Sequence, residues 1–232
     1  MCGRFTITSE ATALAQHFAL PSLGALSLPR FNVAPSQRVP LLRLDPCGQR
    51  ELALVVWGLL PAWVRDPRGG ARPINARGES VEHKPFFRQA WRRQRGLVLA
   101  DGFYEWQRGG GGKQPFWLHR PDRGPLAFAA LWERWRAATG GEPIESCTLI
   151  TTTANAVVRP LHDRMPVILH PDDYARWLAP ARADELAALK ALLVPAPDDL
   201  LQAVAVTRYV NDPQHDDPAC LAPALPSTAE RP

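Results

Sequence analysis

Short apolar runs, each closed off by proline or glycine, recur along most of the chain, and only a few stretches carry helical spacing. Phe5 to Ile7, Phe31 to Ala34, Val39 to Leu44 and Leu52 to Trp57 read as strands. Leu97 to Trp106, Pro115 to His119, Leu126 to Trp132, Cys147 to Thr152 and Leu201 to Val206 continue the series, with Gly109 to Gly112 as a hairpin tip. Ser9 is placed to cap a helix running to about Leu20, with Leu14 and Phe18 on one face. Pro85 opens a second helix that sets Phe86, Phe87, Ala90 and Trp91 against Arg88, Arg92 and Arg93. Pro171 to Leu178 and Ala183 to Leu193 carry further helix-start signals. Between Trp57 and Arg77 neither period holds, which predicts a long functional loop.

This pattern predicts an α+β domain built on a curved or barrel-like, mainly antiparallel β-sheet flanked by helices. At 232 residues the chain can bury a real core. We place one domain over residues 1–210. Residues 211–232 hold five prolines and are expected to form a disordered or surface-draped tail. No apolar run approaches the roughly 20 residues of a membrane span, and no secretory leader opens the chain, so a cytoplasmic protein is expected.

The four cysteines, Cys2, Cys47, Cys147 and Cys220, are far apart and include no C-x-x-C pair, which argues against zinc and against a disulfide framework. Cys47, Cys147 and Cys220 read as structural free thiols, with Cys220 expected to be the exposed one. Net charge is +4. Arginine outnumbers lysine 24 to 3, which suits phosphate but also follows from a GC-rich genome. None of the three lysines, Lys84, Lys113 and Lys190, falls in the clusters considered next, so an imine-forming amine is better sought at the N-terminus.

Removal of Met1 would leave Cys2 with an amine and a thiol on one residue. The amine titrates near about 8 and the thiol near about 8.5, so a minority of each is reactive at neutral pH. Together they convert an aldehyde first into an imine and then into a thiazolidine ring. A cysteine is also commonly a small buried hydrophobe. Glu105, between Tyr104 and Trp106, is a proton shuttle if desolvated or a salt-bridge partner if an arginine is near. His162 is a general acid or a histidine satisfied by Asp163. Asn75 either holds a substrate hydroxyl or caps a turn. Arg4 and Arg77 can grip phosphates, and Trp63 and Trp106 can stack on bases; Trp57, within a strand, reads as core.

Six separated segments resemble, in order, the SRAP (SOS-response-associated peptidase) family: Met1-Cys2-Gly3-Arg4-Phe5, Phe31-Asn32-Val33-Ala34-Pro35, Trp57-Gly58-Leu59-Leu60-Pro61, Asn75-Ala76-Arg77-Gly78-Glu79, Gly102-Phe103-Tyr104-Glu105-Trp106 and Leu161-His162-Asp163-Arg164-Met165-Pro166. The resemblance implies a sensor of abasic sites in single-stranded DNA that links itself covalently to the lesion through Cys2. It implies active-site roles for Asn75, Glu105 and His162 and DNA contacts for Arg4 and Arg77, with no metal or organic cofactor. A monomer, associated with the nucleoid during repair, is expected. Two alternatives remain open from sequence: a peptidase that uses the Cys2 thiolate, and a non-catalytic single-strand binder.

Overall fold

The computed structural model describes residues 2–24, 26–109 and 112–224. Five strands close a mixed barrel: β3 (Arg38–Leu44), β4 (Arg50–Trp57), β6 (Arg95–Ala100), β9 (Leu126–Trp135) and β10 (Ile144–Thr153). Closure comes from β10, which runs parallel to β4 at Ser146 and Cys147 and antiparallel to β9 from Ile144 to Leu149. Two short strands, β5 (Asn75–Arg77) and β11 (Arg164–Pro166), pair with the far half of β10. The expected barrel-like sheet is therefore present.

A second sheet has the order β12-β8-β7-β1-β2 and is antiparallel throughout. Its strands are β1 (Phe5–Ile7), β2 (Arg30–Val33), β7 (Gly102–Gly109), β8 (Gly112–His119) and β12 (Gln202–Ala205). Four short helices flank the sheets: α1 (Ala11–His17), α2 (Arg88–Arg93), α3 (Tyr174–Leu178) and α4 (Leu186–Lys190).

Strands β6 and β9 read as near-continuous apolar runs because both of their faces are covered, and every residue of β6 is buried. Phe5 connects the two sheets, its ring 5.2 Å from Trp57 and 5.9 Å from Phe128. All three are fully buried, and each contributes about 1.5–3 kcal/mol by leaving water. Gly96 carries no side chain because an added Cβ would lie 2.8 Å from Leu41 Cδ1.

Several local expectations are corrected. Leu97 to Trp106 is not one strand: the chain bends at Asp101 and passes from barrel to second sheet. The bend is held by the Asp101 carboxylate, which accepts from Thr6 Oγ1 at 2.6 Å and from Ser9 N at 2.6 Å. Ser9 is thereby spent on Asp101 and does not cap α1, whose N-cap is Glu10. The helix expected from Pro85 begins only at Arg88, after turns. Asn75 to Arg77, read as the end of a loop, is a strand because β10 offers it an edge. Gly110 and Gly111 of the expected hairpin tip lie outside the described residues.

Of the expected tail, residues 212–216 are bonded to β2 and residues 222–224 pair with residues 205–207 at the end of β12. Asn32, fully buried, donates through Nδ2 to the carbonyls of Val210, Asp212 and His215 at 3.1, 3.0 and 2.7 Å. Asp216 accepts from the amides of Phe31 and Asn32 at 2.6 and 2.9 Å. This packing also overturns the expectation for Cys220, which is buried; Cys47 is the exposed cysteine.

Candidate active site

Strand β1 lies between β2 and β7, and its pairing with β7 sets Phe5 against Phe103 and Thr6 against Gly102. Continued toward the N-terminus, the same register has the Tyr104 amide donating to the Arg4 carbonyl at 3.0 Å and brings Cys2 and Gly3 alongside Glu105. Gly102 is required there: an added Cβ would lie 2.2 Å from Trp117 Nε1, which donates to Thr6 Oγ1 at 3.2 Å.

The N-terminal segment borders an open cleft of about 730 Å³ lined by residues that include Arg4, Glu105, Trp106, Lys113, His162 and Asn211. Cys2 is fully buried, with Sγ 3.8 Å from the Arg4 carbonyl. Burial, and after it the charge of Glu105, pushes the Cys2 thiol well above its ordinary range. The thiol is thus held protonated, which corrects the expectation that a minority of it is reactive at neutral pH. It requires a base. Glu105 is 3% exposed, and its burial, reinforced by the charge of Asp163, raises its carboxyl to about 7. A carboxyl poised there both accepts and returns a proton near neutrality.

Asn75 arrives on β5, paired in parallel with Leu149 of β10. Its Nδ2 donates to the Cys2 carbonyl at 2.9 Å, and it caps no turn. Asn75 Oδ1 is buried and accepts no hydrogen bond among the described residues.

His162 sits at the end of a turn, its amide donating to the Val158 carbonyl at 3.0 Å. Its Nδ1 accepts the Arg164 amide at 2.9 Å, which leaves the proton of the neutral ring on Nε2. Asp163 Oδ1 stands 2.8 Å from the same Nδ1. That contact repels while the ring is neutral and becomes an ion pair once Nδ1 is protonated.

The remaining candidates divide. Arg4 and Trp106 line the cleft. The Arg4 guanidinium, however, donates to Asn32 Oδ1 at 2.8 Å and to the carbonyls of Val210 and Asn211 at 3.1 and 3.4 Å. Trp106 Nε1 donates to Asn211 Oδ1 at 2.7 Å, which fixes its ring at the rim. Arg77 is exposed on β5. Trp63 is 54% exposed, edge-on to Phe86 at 5.4 Å. Neither Arg77 nor Trp63 is among the residues lining the cleft. Trp57 is core, as expected.

Sequence reasoning gives no role to three residues that hold this arrangement. Arg164 forks onto both oxygens of Glu79 at 2.6 and 2.8 Å and also donates to the Thr151 carbonyl at 2.7 Å. It thereby ties the segment after Asn75 to the segment that carries His162. Asn32 and Asn211 anchor Arg4 and Trp106. Arg164 and Asn32 lie within the quoted motifs, which is a signal that they matter but not of what they touch; Asn211 lies outside every motif. Among the described residues no cluster of His, Cys, Asp and Glu is arranged to hold a metal, and no helix is long and apolar enough to cross a membrane.

Comparison with known proteins covers nearly the whole chain. The abasic site processing protein YoqW of Bacillus subtilis is 37% identical over 222 residues, 94% of this chain and 97% of that protein. HMCES of Xenopus tropicalis, also named an abasic site processing protein, is 30% identical over 84% of this chain and 66% of its own length. A Bordetella bronchiseptica crystal structure superposes with a TM-score of 0.76 at 29% identity, over 89% of this chain and all of that one. A Bacteroides thetaiotaomicron protein shares the fold, with a TM-score of 0.81 at 24% identity over 97% of this chain and all of that one. The family model described as SOS response associated peptidase (SRAP) matches residues 1–213, and the chain belongs to that family.

Proposed function

We propose that this protein processes abasic sites in single-stranded DNA by forming a covalent thiazolidine link through Cys2. The observation that carries this reading is the convergence on Cys2 of a carboxyl raised to about 7 and an amide that grips the Cys2 carbonyl at 2.9 Å. Relatives named abasic site processing proteins support the substrate.

Only the open aldehyde form of an abasic sugar accepts an amine. His162, with a proton on Nε2, donates to the ring oxygen as the sugar opens. The Cys2 amine, freed by removal of Met1, adds to the aldehyde carbon, and Glu105 shuttles the protons as water leaves and the imine forms. Glu105 also takes up the thiol proton that burial otherwise retains. Sulfur then adds to the imine carbon and nitrogen gains a proton, so the net change is loss of one water. Ring closure removes the imine that would drive β-elimination and strand breakage. Asn75 contributes position rather than chemistry. Arg4, Arg77, Trp63 and Trp106 serve strand binding, and a monomer working in the cytoplasm at the nucleoid fits the reading.

The peptidase alternative asks for a resting thiolate, which the burial of Cys2 opposes. Intact mass spectrometry tests the proposal, with a single-stranded oligonucleotide carrying one abasic site. Protein lacking Met1 is expected to gain the oligonucleotide mass less one water, and Cys2→Ala is expected to gain nothing. An adduct that persists in Cys2→Ala would sink the assignment.

A further inference from the structure

We propose that Lys113 and Arg208 form a phosphate-binding site on the rim of the cleft, taking a phosphodiester of the strand whose abasic sugar lies at Cys2. The inference rests on the function proposed above and adds two residues to it.

The argument starts from Arg4. Its guanidinium lines the cleft, but its hydrogens are directed at Asn32 Oδ1 and the carbonyls of Val210 and Asn211. Three of its five N–H donors are so engaged, which leaves two for the strand and a place for further cations along it. Lys113 also lines the cleft, together with Trp106 and Asn211. It is exposed on β8, and its side chain makes no hydrogen bond or ion pair with any described residue.

A second cation stands beside it. Gly112, next to Lys113, has φ +103°, and an added Cβ there would lie 3.7 Å from Arg208 Nη1. The Arg208 guanidinium therefore lies against the backbone at the start of β8. Arg208 is exposed, and its side chain, like that of Lys113, has no hydrogen-bond or ion-pair partner among the described residues. It opens the turn Arg208–Asn211, whose last residue fixes the Trp106 indole. Arg208 is not among the residues lining the cleft, but it stands against Gly112 at the start of β8 and opens the turn that ends at the cleft residue Asn211, so a strand leaving the cleft past Lys113 and the Trp106 ring meets a second cation there. The acidic residues lining the cleft, Glu105 and Asp163, are grouped with His162 rather than with these cations.

The experiment measures binding of a single-stranded oligonucleotide carrying a non-reactive tetrahydrofuran abasic analogue, by fluorescence anisotropy across a salt series. Wild type, Lys113→Ala, Arg208→Ala, the double variant and Lys113→Arg are compared, with exposed Arg182→Ala as the charge control. Each lost phosphate contact makes the slope of log K against log salt shallower by about 0.7 on single strands. The double variant is expected to lose roughly twice that and to bind several-fold more weakly at low salt, while Lys113→Arg keeps the wild-type slope. A double variant whose slope matches Arg182→Ala overturns the inference and leaves the parent reading standing. Wild-type protein that does not bind the oligonucleotide overturns both.

Discussion

The side-chain amide of Asn75 donates to the carbonyl oxygen of Cys2 across 2.9 Å, joining β5 of the barrel edge to the N-terminal segment of the other sheet. One hydrogen bond thus sets the residue proposed as nucleophile relative to the rest of the cleft. Asn75→Asp removes the donor and places an acceptor against that carbonyl. It is expected to slow adduct formation about tenfold or more while changing the melting temperature by only a few degrees. Single-turnover crosslinking beside a thermal melt checks both halves.

Glu105, raised to about 7 by burial, should impose an inflection on the rate. If it takes protons during imine formation and ring closure, crosslinking rises as pH passes upward through about 7. Glu105→Gln is expected to remove that inflection and to lower the rate by about 10²- to 10⁴-fold. A pH–rate profile of the variant that keeps a step near 7 would assign the proton shuttle elsewhere.

Arg164 and Glu79 form an asymmetric pair, because the Arg164 side chain is 10% exposed and that of Glu79 is 52% exposed. Removing the arginine strips the Glu79 carboxylate of its Arg164 donors and the Thr151 carbonyl of one of two, the other being the Gly78 amide, so Arg164→Ala is expected to cost about 2–4 kcal/mol. Glu79→Gln, at a half-exposed position, should cost about 1 kcal/mol or less. The Glu79 carboxyl is held below its usual range chiefly by its hydrogen bonds from Arg164. Its stabilising share is therefore present above the unfolded value and lost as pH falls through the depressed one. Urea denaturation of both variants at neutral and acidic pH measures the difference.

Glu133 gives the opposite sign. It is 2% exposed on β9, accepts from the Ala62 amide, and is raised to about 7 by burial. The folded protein therefore holds this proton more tightly than the unfolded chain does, and stability should fall as pH rises from the unfolded carboxyl value through about 7. The full effect is at most about 3 kcal/mol. Glu133→Gln keeps an acceptor for Ala62 and is expected to flatten this part of the stability profile, as followed by thermal melts between pH 4.5 and 8.

The strands were legible because alternation and turn residues are local signals, and Leu126 to Trp132 or Val39 to Leu44 could be read without knowing their partners. The bend at Asp101 was not, since it depends on Thr6 and Ser9, some 90 residues earlier in sequence. Barrel closure through β10 has the same character: nothing in Cys147 to Thr152 tells that one strand meets β9, β4 and β5. At the site, the residue types that carry chemistry stood out in the motifs. Their supports did not, because a buried asparagine such as Asn32 differs from a turn asparagine only by what surrounds it. For residues 211–224 the sequence leaves a disordered and a surface-draped tail open, because prolines mark irregular backbone, and irregular backbone can still be pinned by side chains that come from elsewhere.

The first residues of a chain are ordinarily its loosest part, opening and closing at almost no cost in free energy. Here Arg4 holds the carbonyls of Val210 and Asn211, and Asn32 shares the first of these and holds two more on the same segment, Asp212 and His215. Fraying of the N-terminal segment is thereby coupled to loosening of residues 210–215, and the residue proposed as nucleophile inherits the rigidity of the interior. Removing residues 210–216 would loosen Cys2 without touching it.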